Sequence, residues 1–397
     1  MNVKARAGDS LFYYSKLFAI SHKLLIDSNA TVQGELQGGE TIRIPGFLLK
    51  RHKLTDTDTV AKLASKYHHK EDALLLVNQQ MSINNWTPGK LVNIPERITS
   101  PVVKSDGNYA YKTLISDLAK LREVYPFVQI NICGQSVMKK KLYELRIGTG
   151  RNKVHWNASF HANEWITTNA VMTVLNEYLI ALTNFDKLQS VEAIQIYNDT
   201  TLSIVPMVNP DGVDLVLDSL SVKESFYNKA VEINNGSDNF EQWKANIRGI
   251  DLNNQYPANW DIEKERKEPK APAPRDYPGD APLTEPEAIA LAKLVTEENF
   301  SLVVAFHTQG REFYWGYESY EPAKAKIIAD RFAQVSGYKS VQFIDSHAGF
   351  KDWFIQNTRN PGFTIELGEG TNPLPLTQLP SIVEAARAIG ISSLLVR

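Results

Sequence analysis

At 397 residues, 43% of them apolar, and with a formal net charge of −2, the chain can build more than one cored domain and has no basic surplus for nucleic-acid phosphates. Cys133 is the lone cysteine, which excludes an intrachain disulfide. No apolar run approaches the ~18 residues of a membrane span, and Met1 to Asp9 lacks the apolar core of a signal peptide, so a cytoplasmic product is expected.

The first hundred residues contain one pattern twice. Gly8-Asp9-Ser10-Leu11 returns as Thr57-Asp58-Thr59-Val60, and Asn29 returns as Asn78, each asparagine following an apolar run. Gly39-Glu40-Thr41-Ile42-Arg43-Ile44-Pro45 returns as Gly89-Lys90-Leu91-Val92-Asn93-Ile94-Pro95. The period of about 50 residues suits one small module per copy. Each copy reads strand, helix, helix, strand, with Asp9 and Asp58 expected to accept orphan amides at a helix start. The copies, 1–47 and 48–97, resemble LysM modules. That resemblance implies binding of N-acetylglucosamine-containing glycan through shallow backbone grooves. The second copy has Thr57 in place of the glycine, which puts its share of the binding in question; two small packing or dimerisation domains are the other reading.

A polar connector, 98–106, leads into a second part, 107–397. This part opens on a predicted helix from Tyr111 to Tyr125. Buried strands are predicted at Tyr143–Ile147, Lys153–Phe160, Thr201–Val205, Leu302–Phe306 and Gly362–Ile365, with helices between them, one over 166–182. The alternation predicts an α/β fold: a mixed, mostly parallel sheet flanked by helices. The Glu/Lys run before Pro269 and the Pro-rich stretch to Pro286 read as a surface loop, and Thr284-Glu285-Pro286-Glu287 as a helix start.

His161-Ala162-Asn163-Glu164-Trp165 falls where a strand turns into a helix. An imidazole and a carboxylate three residues apart can face one zinc ion, and His307, ending another buried strand, offers a third protein ligand. The spacing alone decides nothing. His68 and Glu71 share it, and a strand-end histidine bonded to backbone satisfies the same pattern.

The order in which further segments follow is more specific. Pro206-Met207-Val208-Asn209-Pro210-Asp211-Gly212, Asp251-Leu252-Asn253, His307 and Phe363-Thr364-Ile365-Glu366-Leu367 come in turn, and with them residues 107–397 resemble the zinc carboxypeptidase (carboxypeptidase A/B) family. The resemblance implies a metallopeptidase with one zinc on His161, Glu164 and His307. It places the general base on Glu366, thirteen residues after Trp353, with Glu369 as the neighbour that could be confused with it. Such a base takes a proton from water and passes it to the leaving amine. Lys244 falls where the family has an arginine facing the oxyanion, with Arg248 in reserve.

Two positions depart from the family. Asn254 follows Asp251-Leu252-Asn253 where a carboxylate-clamping arginine is usual, and Asn163 replaces the arginine inside the His-x-x-Glu motif. A neutral amide cannot supply the clamp's charge. Asn253 and Asn254 are therefore read as substrate-binding residues of something other than a strict C-terminal exopeptidase. Together with the LysM-like repeats, this resembles the γ-D-glutamyl-L-diamino acid endopeptidase branch of the family. That branch cuts the amide between the γ-carboxyl of D-glutamate and diaminopimelate or lysine in stem peptides. The implied partners are peptidoglycan and its muropeptides, met during sporulation, lysis or recycling. A carboxypeptidase of ordinary peptides and a non-catalytic glycan-binding protein compete with this reading; Asn254 weighs against the first, the retained ligands and Glu366 against the second. Near the family's loop tyrosine the register gives Ile344. Three residues on, His347 is the candidate hydrogen-bond donor to substrate, an exposed loop histidine being the plain alternative.

Overall fold

The computed structural model describes residues 1–32, 35–81, 85–104 and 106–396; Ser105 of the expected connector lies outside them. The chain divides into two compact units. One comprises Met1–Val102, Leu118–Gln129 and Asn176–Ile194, and the other the remainder.

In the first unit β1 (Asn2–Lys4) pairs antiparallel with β2 (Thr41–Arg43), and β3 (Phe47–Lys53) with β4 (Leu91–Arg97). Helices Leu11–Leu17 and His22–Ser28 fill the first interval, Val60–Lys66 and Glu71–Leu76 the second. Each repeat thus closes as strand, helix, helix, strand. The repeated asparagines explain part of the periodicity. Asn29 Nδ2 donates to the Leu25 and Arg43 carbonyls while its Oδ1 accepts the Arg43 amide. Asn78 does the same with Leu74 and Asn93. Each side chain ties the end of the second helix to the closing strand.

The helix caps lie one residue later than expected. Ser10 and Thr59 accept the amides of Tyr13 and Lys62. Asp9 instead binds the Arg6 guanidinium and the Tyr14 hydroxyl, and Asp58 the Thr55 amide and His52. A hydroxyl at the cap position reaches its third amide, leaving the carboxylate free to fix the preceding turn. The first module's core of Val3, Tyr14, Leu17, Phe18, Leu25 and Phe47 continues into Ala73, Leu76 and Val77 of the second. The Gly46 amide donates to the Val124 carbonyl and the Arg97 guanidinium to the Thr183 carbonyl, so two helix ends from beyond residue 97 belong to this unit.

The second unit is built on an eight-stranded sheet among the described residues. Its strands are β5 (Gln129–Gln135), β6 (Lys141–Ile147), β7 (Asn152–Ala158), β10 (Thr200–Val205), β11 (Leu302–His307), β12 (Glu312–Tyr314), β13 (Lys339–Val341) and β14 (Gly362–Glu366); β8 (Lys187–Leu188) and β9 (Val191–Glu192) form a separate hairpin. The order is β13-β12-β14-β11-β7-β10-β6-β5. The four inner strands β14, β11, β7 and β10 run parallel, whereas β12 and β6 run antiparallel to their inner neighbours. From β7 the chain goes first to β10 on one side and later to β11 on the other. The carboxyl ends of β7 and β11 therefore flank a topological switch point, where open α/β sheets bind ligands.

Side chains of β7 alternate between two covered faces. Trp156 packs on helix Leu379–Leu394, its Nε1 donating to Ser393 Oγ at 2.9 Å, and a Cβ at Gly390 would stand 3.0 Å from the indole. His155 points the other way, against Phe300 and Phe350. The predicted inner strands and the helices Tyr111–Val124, Ile166–Asn184 and Pro286–Glu298 all form. Strands β5, β12 and β13 were not expected: β5 is polar and largely exposed, and the other two have three residues each. The Glu/Lys run is also a correction, because it is the helix Trp260–Arg266 and not loop. Its acidic first turn and basic last turn complement the helix dipole.

Candidate metal centre

The turn after β7 is held from several sides. Asn209, the cap of helix Pro210–Val216, donates through Nδ2 to the Phe160 and Ala245 carbonyls and accepts the Gly212 amide. The Ala162 amide donates to the Lys244 carbonyl, and Thr167 Oγ1 donates to the Glu164 carbonyl. Gly212 permits this approach: a Cβ there would meet Ala162 Cβ and the Ala245 carbonyl oxygen at 2.8 Å. The Asn-Pro-Asp-Gly motif thus works as a brace behind the His161–Glu164 turn.

On this brace His161 Nδ1 lies 2.8 Å from Glu164 Oε1. His307, the last residue of β11, brings its Nδ1 to 3.0 Å from Glu164 Oε2 and 3.2 Å from His161 Nδ1. All three residues are buried. They form the cluster able to hold a metal among the described residues. The other pair with this spacing behaves differently: His68 and Glu71 join no such cluster among the described residues, and Glu71 lies in the first turn of a helix.

Two imidazoles and a carboxylate converging beside an open cleft are the donor set of a zinc site with a free position. Behind His161, Asp251 Oδ1 stands 3.3 Å from Nε2, off the line of a good hydrogen bond. A carboxylate behind a metal-binding imidazole orients the ring and raises its basicity. Burial works against a charge on His161, but Glu164 and Asp251 outweigh it and lift the imidazole to about 9. Burial also opposes ionisation of Glu164, yet the two histidines hold it well below the usual carboxylate range. Against burial, the carboxylates of Glu164 and Asp251 make this a place that favours a cation.

Glu366 ends β14 opposite His307 in register. Burial first, then the charge of Glu164, pushes its carboxyl up to about 8. A divalent cation among the ligands would pull it back down. Glu366 and His161 line both a cavity of about 370 Å³ and a second of about 220 Å³. Glu369 lies outside both, exposed, its amide bonded to Gln378.

Lys244 also lines both cavities, 2.8 Å from Asp251 Oδ2 and 2.9 Å from Asp276 Oδ1. Burial opposes its charge, and the two aspartates more than restore it. Arg248 is not brought to the cleft. Its side chain is half exposed and lies 3.5 Å from Glu285. Asn253 and Asn254 line the second cavity; Asn253 Oδ1 accepts the Phe350 amide, whereas Asn254 Oδ1 is buried without a hydrogen-bond partner. His347 lines neither cavity. Its amide is bonded to buried Glu263 and its Nδ1 lies 3.2 Å from the Tyr317 hydroxyl, while Ile344 and Ser346 of the same loop face the cleft.

Several site residues carry no local signal. Arg275, from the Pro-rich stretch, lines the larger cavity and pairs with Asp276. Asn372 Nδ2 donates to Glu164 Oε1 at 3.3 Å, and Tyr314 lines both cavities. Tyr314 and Asn372 enter through β12 and the loop after β14, which only the sheet order places at this edge. Asp251 was legible as part of a motif, but its place behind His161 was not.

Residues 114–388 match the zinc carboxypeptidase family. Over 99% of the chain and the full length of the relative, the sequence is 46% identical to γ-D-glutamyl-L-diamino acid endopeptidase 1 of Lysinibacillus sphaericus. It is 37% identical to the uncharacterized protein YqgT of Bacillus subtilis (strain 168), over 98% of this chain and 96% of that one. The carboxypeptidase A structure from Helicoverpa armigera superposes with a TM-score of 0.55 at 16% identity, covering 88% of this chain and 98% of that one, which shows a shared fold. With the His-Glu-His cluster at the carboxyl edge of its mixed sheet, the chain belongs to the zinc carboxypeptidase family and is a zinc metallopeptidase.

Proposed function

We propose that this peptidase hydrolyses the amide between the γ-carboxyl of D-glutamate and the L-centre of a diamino acid in peptidoglycan stem peptides. One observation carries the reading: Asn163 and Asn254, each lining one of the two cavities, put neutral amides at the two positions where the resemblance expects the arginines of a strict exopeptidase. The full-length similarity to an endopeptidase of that name supports it.

His161, Glu164 and His307 would hold the metal. Zinc, when bound, supplies Lewis acidity toward a carbonyl and lowers the pKa of water. Glu366 accepts the proton of the attacking water on its carboxylate and returns it to the leaving amine. Lys244, pinned between Asp251 and Asp276, presents a fixed positive charge to the developing oxyanion. Asn254 Oδ1 is a buried acceptor for a substrate amide.

The two strand-helix-helix-strand modules retain the enzyme on glycan, raising local substrate concentration without new catalytic contacts. The test is mass spectrometry of muropeptides after incubation with the zinc-loaded protein. Products split between D-glutamate and the diamino acid are expected. Stepwise loss of C-terminal residues alone would replace this reading with an ordinary carboxypeptidase.

A further inference from the structure

The cavity of about 220 Å³ on the Asn254 side contains three lysines, and their charges are not equivalent. Lys244 faces Asp251 within the lining. Lys351 is buried, donates to the Gly316 carbonyl at 2.8 Å and pairs with Asp352, which also lines the cavity. Lys267 is different. Its nearest acid, Glu263, lies outside the lining, 3.3 Å away at Oε1, and no hydrogen bond joins them.

Glu263 is buried and anchored elsewhere. Its Oε2 accepts the His347 amide at 3.0 Å and meets Arg266 Nε at 2.9 Å. The same Arg266 reaches Asp345 at 2.6 Å and so pins the loop that carries Ile344 into the cavity. Lys267 thus lines the cavity ion-paired to Glu263 but without a hydrogen bond to it, so its ammonium keeps donors for a ligand. Ile344, in the same lining, offers an apolar wall.

We propose that Lys267 is a specificity-determining residue that binds the carboxylate at the far end of the diamino acid's side chain and makes the enzyme prefer diaminopimelate to lysine. This rests on the γ-D-glutamyl reading given above. The two diamino acids share the methylene chain and the terminal ammonium, and differ by one carboxylate on the terminal carbon. Discrimination between them therefore needs a cation with free donors at the end of an apolar path, which Ile344 and Lys267 supply.

The experiment compares kcat/KM of the full-length, zinc-loaded enzyme on three tripeptides. These are L-Ala-γ-D-Glu-meso-diaminopimelate, the same peptide with its distal carboxylate amidated, and L-Ala-γ-D-Glu-L-Lys. Wild type should favour the free diaminopimelate peptide by about 10- to 100-fold, the range of one charged hydrogen-bonded contact. The amidated peptide should fall to the lysine level. In Lys267→Met the preference should collapse toward unity with zinc content retained, Lys267→Arg should keep most of it, and Lys267→Glu should turn it toward lysine. Equal rates in wild type, or a preference that survives Lys267→Met, would overturn the assignment while leaving the γ-D-glutamyl reading intact. Cleavage of none of the three would remove that reading and this inference together.

Discussion

Glu366 differs from the other cleft carboxylates in lacking a fixed cationic partner: Asp251 has Lys244, Asp352 has Lys351, and Glu366 looks toward the metal ligands. Glu366→Gln keeps the shape and removes the proton acceptor. Turnover should fall by about 10²–10⁴ with zinc stoichiometry unchanged; turnover near wild type would move the base elsewhere. A second residue titrates away from the chemistry. His155 is fully buried in β7, its Nδ1 3.1 Å from Ser203 Oγ, whose hydroxyl donates to Glu144. Burial first, then Arg146, pushes its imidazole down to about 3. Above the unfolded value near 6.5 both states are neutral and His155 adds no pH dependence. Below it only the unfolded chain takes up the proton, so stability is lost as the pH falls toward the folded value. Between pH 6.5 and 5 the loss should be about 2 kcal/mol. Urea unfolding at the two pH values measures it, and His155→Gln should flatten the difference.

At the scale of elements, helix Pro210–Val216 and the His161–Glu164 turn are one device. Asn209 caps the helix and bonds the Phe160 carbonyl just before the metal turn and the Ala245 carbonyl of the segment beside it, and Gly212 lets helix and turn touch. Gly212→Ala would place a Cβ at 2.8 Å from a carbonyl oxygen and from Ala162 Cβ. Backbone cannot yield as a flexible side chain can, so overpacking of about 1–3 kcal/mol is expected. Zinc affinity should fall along with stability, because the turn that must shift carries two ligands. Metal titration alongside thermal unfolding checks both, and a destabilised variant with wild-type zinc affinity would show that helix and turn are not coupled.

At the scale of the molecule, the repeats and the rest of the chain divide differently from their sequence boundaries. The end of the second repeat at 97 suggests a clean cut, yet 118–129 and 176–194 pack with the modules in one unit. Removing 1–97 would strip Val124 and Thr183 of partners and uncover the helix ends. The truncated protein should unfold at least about 5 °C lower than the full chain, or collect in the insoluble fraction. An unchanged midpoint in differential scanning fluorimetry would make the modules independent. The proposed retention on insoluble peptidoglycan is therefore tested in the full-length chain, through substitutions on the module surfaces.

The inner strands, the two module patterns and the candidacy of His161, Glu164, His307 and Glu366 were legible before any fold was known. Buried parallel strands are continuous apolar runs, and donors at their ends keep a readable spacing. The short or exposed strands β5, β12 and β13 lacked such runs: β5 and β13 are edge strands that bury little, and β12 has only three residues. Tertiary structure alone set Asp251 behind His161, kept Arg248 and His347 away from the cleft, and brought Lys267 and Arg275 into it. These placements depend on how distant loops cross the carboxyl edge of the sheet. Local propensity has no term for a contact between residues 90 or more positions apart; it arises only when a strand order is chosen and the loops between strands are carried over one edge.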